Sequence, residues 1–109
     1  LSLEISEVCA ADAMFDHVWR TLPNAEGLSR WMSQDRMGCY VVLVIGSEGQ
    51  PVPLAMFSYQ TKQPDGKRRR PYFSVFSFKH GYWGALDAIE LDEFKAEKVQ
   101  KVLDDLKKL

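Results

Sequence analysis

The sequence predicts an α+β fold, with residues 1–109 as a single α+β domain. The expected architecture is an antiparallel sheet of three to five strands with two short N-terminal helices and one longer C-terminal helix, in the order β-α-α-β-β-β-(β)-α. Three observations carry this. Residues 39–45 are apolar throughout and β-branched at four of seven positions, the composition of a strand covered on both faces. Pro64, Asp65 and Gly66 make a turn signal between two segments rich in aromatic and apolar residues, as a hairpin requires. Leu91, Phe94, Val99, Val102, Leu103, Leu106 and Leu109 recur at helical spacing, marking an amphipathic closing helix.

At the start, Leu1, Leu3 and Ile5 alternate with Ser2, Glu4 and Ser6, the period-two pattern of a short half-buried strand. Met14, Phe15, Val18, Trp19 and Leu22 then follow helical spacing from about residue 11 to residue 22, with Asp16 and Arg20 as a favourable i,i+4 pair. Pro23 ends that helix. Asn24 is a fitting cap for a second one in which Leu28, Trp31 and Met32 face inward.

Residues 39–45 should be the central strand, residues 46–49 a turn, and residues 54–61 the next strand, with Pro51 and Pro53 confined to its entrance. Residues 72–78 supply its hairpin partner, and 85–89 fit a fourth strand. Aromatic residues occupy both faces of the hairpin: Phe73 and Val75 on one, Tyr72, Phe76 and Phe78 on the other. Something must cover each face, and a second copy of the chain is one candidate. In the closing helix, Asp92 and Glu93 lead and Lys107 and Lys108 end, each charge opposing the nearby end of the helix dipole. Glu97 and Lys101 form an i,i+4 pair.

Charge narrows the function classes. The 109 residues carry a formal charge of -1, yet residues 62–70 hold five basic side chains and one acidic, so this stretch is +4 and the remainder -5. A protein of that balance does not coat polyanions with its whole surface, and any nucleic-acid contact must be local. The expected contact residues are Lys62, Lys67, Arg68, Arg69 and Arg70, whose guanidinium forks match phosphate oxygens, and Tyr72, which could stack on a base. Neutralising about four phosphates on a single strand gives a log-log salt slope of roughly -3. The same run can also be a solvated tip that discourages sheet-edge aggregation, or a contact for an acidic protein. A second expected interaction loop contains His80, Tyr82 and Trp83 between glycines, although rings so placed also cap cores.

Catalytic residues, metal ligands and cofactors are not expected. His17 and His80 lack a nucleophile context, and two histidines and two cysteines at unrelated spacings do not match a zinc site. Cys9 and Cys39 are expected as reduced, mostly buried thiols. No apolar run reaches the roughly 20 residues of a membrane span, so a cytoplasmic setting with no membrane partner is expected. The chain begins at Leu1, which leaves N-terminal processing open.

Val18-Trp19-Arg20-Thr21-Leu22-Pro23-Asn24-Ala25-Glu26-Gly27-Leu28-Ser29-Arg30-Trp31-Met32 resembles the first two helices of START-type helix-grip proteins. That resemblance implies a preceding strand at residues 3–8, a gripping helix at 91–109, and an apolar small-molecule cavity, here lined by Phe15, Trp19, Phe76 and Val99. The Glu48 to Val52 segment is similar to a hairpin of the N-acetyltransferase superfamily, but residues 80–85 do not supply that family's acyl-cofactor loop, and no acyltransferase is expected. The leading expectation is therefore a small non-enzymatic module whose basic hairpin tip contacts nucleic-acid phosphates, with a protein-interaction or inhibitor module for an acidic partner and a reduced helix-grip domain for an apolar ligand as the alternatives.

Overall fold

A computed structural model describes residues 3–34, 39–46, 52–63, 65–78 and 81–108. The chain runs α1 (Ile5–Arg20), β1 (Leu28–Gln34), β2 (Tyr40–Gly46), β3 (Val52–Lys62), β4 (Arg68–Ser77), β5 (Gly84–Glu90), a 3-10 turn (Leu91–Glu93) and α2 (Ala96–Lys107). The five strands form one antiparallel meander in the order β1-β2-β3-β4-β5.

The fold class is α+β as expected, but the N-terminal part is organised differently. Ile5 and Ser6 begin α1, and Ile5 is 84% exposed. Its alternation with Leu3 marks no strand. One helix of 16 residues stands where a strand and a short helix were expected, because Val8, Ala11, Phe15 and Val18 extend one buried stripe through it. The supposed second helix is β1. Leu28, Trp31 and Met32 fit a helical face on spacing alone, yet Gly27 takes φ 75° and the following residues pair with β2 from Leu28↔Gly46 to Gln34↔Tyr40. Ladder bonds to a Val-rich neighbour override a weak local preference. With α2 at 12 residues, the C-terminal helix is the shorter one. The central strand is β3, with β2 beside it.

Both helices pack on the same side of the sheet. Phe15 of α1 and Phe94, just ahead of α2, meet Phe57 and Phe73 from the strands, the Phe73 and Phe94 rings stacking at 4.2 Å between centroids. Tyr40, Val42, Val44, Ala55, Val75 and Ile89 complete the strand side of this core, and Val99, Val102, Leu103 and Leu106 the α2 side. Phe15 and Val99 are thus buried in packed core, while Phe76 lies on the other face of the sheet, so the four residues named for a helix-grip cavity do not line one space. Among the described residues, no buried side-chain nitrogen or oxygen lacks a hydrogen-bond partner. The Tyr40 hydroxyl donates to Asp12, and its burial together with that carboxylate pushes the phenol well above its ordinary range. No helix among the described residues is long and apolar enough to cross a membrane.

Candidate functional site

The open face of the sheet is built by alternation. Residues paired across antiparallel strands point to the same side, and the register Trp31↔Leu43, Leu43↔Met56, Met56↔Phe76 and Phe76↔Ala85 therefore lines up one row across all five strands. Trp31 is 66% exposed, Ala85 is exposed, and the three between them are half-buried. The next row, Ser33, Val41, Ser58, Ser74 and Ala88, is small and uncharged. Among the described residues no helix packs on this side. Five apolar positions in register, without a charge in either row, make a surface that water wets poorly.

Toward the hairpin end, the face becomes polar. Gln60, Tyr72 and Glu90 form the third row, and the Tyr72 hydroxyl donates to the Gln60 side-chain oxygen at 2.6 Å. Beyond it, β3 and β4 outrun their neighbours, since β2 pairs no further than Ser58 and β5 no further than Tyr72. Between Gln60↔Tyr72 and Lys62↔Arg68, three β4 residues face the single Thr61. This bulge accommodates Pro71, which has no N–H for a ladder. The turn is closed by Gln63 N–H donating to Lys67 O and by Lys67 N–H donating to the Asp65 carboxylate, with Gly66 at φ 84°.

The structure divides the sequence-predicted basic residues into two sets. Arg69 folds back over the open face: its guanidinium carbon lies 3.8 Å from the Tyr72 ring centre, and it donates to Glu90 at 3.1 Å. Arg70 reaches Glu90 at 3.6 Å and Asp92 at 4.0 Å. Lys62, Lys67 and Arg68 make no ion pair among the described residues. Tyr72, expected to stack on a base, has its ring covered by Arg69 and is only 6% exposed. In the other loop, Tyr82 is exposed, and Trp83 is half-buried, its ring 4.8 Å from that of Phe78. His80, Pro64 and residues 47–51 lie outside the described residues.

A second charged cluster lies at the helix-covered edge. Arg30 of β1 approaches the Phe15 and Trp19 rings at 6.0 and 5.6 Å and pairs with Asp16, which also accepts from Arg20 at 2.7 Å. Hydrogen bonds from both arginines hold the Asp16 carboxyl below its ordinary value. Every member of this cluster is paired with another, and it anchors β1 to α1. Cys9, expected to be buried, is exposed, Cys39 is half-buried, and no disulfide joins them. Among the described residues, no three His, Cys, Asp or Glu side chains converge as metal ligands would. An open cleft of about 460 Å³ lies at the opposite end of the sheet from the hairpin, lined by Glu26, Leu28, Pro53, Leu54 and Lys107 among others.

Sequence reasoning identified the charged hairpin and missed the role of Trp31, Leu43 and Met56. The signal was present in the two-sided apolar character of residues 39–45, but only the register shows that Trp31 continues the row to the sheet edge. Comparison with protein families, with curated proteins and with solved structures finds no match.

Proposed function

We propose that the chain is a non-enzymatic protein-interaction module that docks through the open sheet face, with the basic hairpin at one end of the docking surface favouring a partner with an acidic margin. The observation that carries this reading is the row from Trp31 to Ala85. An exposed tryptophan at the end of an apolar strip is the kind of residue on which binding energy concentrates, while Lys62, Lys67 and Arg68, which make no ion pair among the described residues, add steering more than affinity. The test is retention of protein from a nuclease-treated extract on the immobilised chain. Trp31→Arg is expected to abolish retention and Lys67→Glu with Arg68→Glu to slow association. Retention unchanged by Trp31→Arg overturns the reading.

A second reading, contact with nucleic-acid phosphates, is supported by those same three cations at the tip. Since Glu90 and Asp92 already hold Arg69 and Arg70, only three phosphate contacts are available from this set, which corresponds to a single-strand salt slope of about -2. A single-stranded RNA or DNA pool that binds with that slope, and loses it in the Lys67→Glu, Arg68→Glu variant, favours this reading over the first.

A further inference from the structure

The two ends of the apolar row differ most in side-chain size, and the three positions between them, Leu43, Met56 and Phe76, are all large. Trp31 on edge strand β1 is the largest member, Ala85 on edge strand β5 the smallest, and Met56 on β3 stands at the centre. A row with its largest and smallest members at opposite edges can fit itself. A two-fold axis running along β3, between two sheets packed face to face, carries β1 of one copy over β5 of the other. Trp31 then meets the partner's Ala85, Leu43 meets the partner's Phe76, and Met56 meets the partner's Met56. The largest side chain is set against the smallest at each edge, and pairs of similar combined size fill the middle of the row. The alternative axis, along the row itself, would place tryptophan on tryptophan and alanine on alanine, leaving a wedge-shaped gap.

We propose, resting on the open-face docking of the interaction reading above and replacing its acidic partner, that the occupant of the open face is a second copy of this chain, stacked sheet to sheet about a two-fold axis along β3. Such stacking is the ordinary aligned packing of two twisted sheets, about 10 Å apart and within about 30° in strand direction. The size of the face agrees. Five strands about 4.8 Å apart and about seven residues long cover about 550 Å² in plan, and a side-chain surface is larger than its plan. That approaches the roughly 600–1,000 Å² per partner of a specific interface. The two uncharged rows also require no complementary charge from the occupant, and an isologous contact could not supply one, since each row would meet itself.

The geometry adds an electrostatic signature. An axis along β3 leaves both hairpins at the same end of the dimer, so Lys62, Lys67 and Arg68 of one copy lie near those of the other. Their repulsion weakens with salt. Association of two copies therefore tightens as salt rises, whereas binding to an acidic protein or to nucleic acid loosens.

Analytical ultracentrifugation of the purified chain over a wide concentration range, at low and high salt, reads this directly. The expected result is a monomer-dimer equilibrium that tightens with salt and is weakened about 30-fold or more by Trp31→Arg, the scale of an interface hot spot. Because Trp31 is exposed, that variant is expected to keep the wild-type circular dichroism. Mild oxidation of a Met56→Cys variant is expected to link position 56 of one copy to position 56 of the other, identified by peptide mapping. A chain that stays monomeric throughout, or a dimer indifferent to Trp31→Arg, overturns the inference. If the monomer still loses an unrelated protein partner on Trp31→Arg, the second-copy inference fails while the interaction reading stands. If Trp31→Arg changes neither self-association nor partner retention, both fail together.

Discussion

The guanidinium carbon of Arg69 sits 3.8 Å from the centre of the Tyr72 ring, three positions along the same strand. A regular strand would place these two residues on opposite faces. They meet because the bulge at residues 69–71 adds residues to β4 against the single Thr61, turning Arg69 back over the open face. Glu90, beside Tyr72 in the register, then accepts from the same guanidinium.

Replacing Arg69 by Ala is therefore expected to uncover Tyr72 and to leave Glu90 with Arg70 alone. The combined cost is about 1 kcal/mol, since Glu90 is partly exposed and surface pairs contribute little. Arg69→Lys should recover only part, because an ammonium cannot both lie over the ring and present a planar fork to the carboxylate. Urea denaturation of the two variants checks the order, with Lys between wild type and Ala.

Phe94 is placed by the 3-10 turn, where Phe94 N–H donates to Leu91 O and the following Lys95 is the N-cap of α2. Its ring stacks on Phe73 and also meets Phe15 and Phe57. Phe94→Ala should cost about 3–5 kcal/mol, as removal of a buried aromatic side chain does. Phe94→Leu should cost markedly less. A thermal melt in which the Ala variant matches wild type would show that this ring is not part of the cooperative core.

The sequence makes the hairpin and its two faces legible, because Phe73 and Val75 alternate with Tyr72 and Phe76 around a Pro-Asp-Gly turn. Two physical facts hide the rest. Leu28, Trp31 and Met32 satisfy a helical spacing as well as a strand, and only the long-range ladder with β2 decides between them. The fate of Arg69 and Arg70 depends on a bulge and on Glu90, 21 residues from Arg69 along the chain, so local composition shows the positive charge without showing what neutralises it. The open row is hidden for the same reason: each strand displays only one of its five members.

Asp16 gives stability an acid limb. Its carboxyl is held below the ordinary 3.8 by hydrogen bonds from Arg20 and then Arg30, so between the folded and unfolded values the unfolded chain binds the proton more readily. The contribution is present above pH 3.8 and fades as pH falls through the lowered folded value. Asp16→Asn should be less stable than wild type at neutral pH, and the difference should shrink in acid. Urea midpoints measured across this range test the sign. A gap that widens on acidification contradicts the assignment of the Arg20 and Arg30 contacts.

Gln100 couples α2 to the α1–β1 connection. It is 6% exposed, accepts from the Asn24 backbone N–H at 2.9 Å, and donates to Asp104 one turn further along its own helix, also at 2.9 Å. Gln100→Leu keeps the volume but strands the Asn24 donor, for an expected loss of about 1–3 kcal/mol. Gln100→Glu retains an acceptor for Asn24 and places a second carboxylate against Asp104, so its deficit should diminish as pH is lowered toward the carboxylate range. The Leu variant has no such titrating group. Hydrogen exchange supplies the local readout: the Asn24 amide should lose protection in the Leu variant and keep most of it in the Glu variant at low pH. Equal loss in both would mean that the connection is held by the packing of Leu22 and Leu28 against the core and that the hydrogen bond is incidental to it.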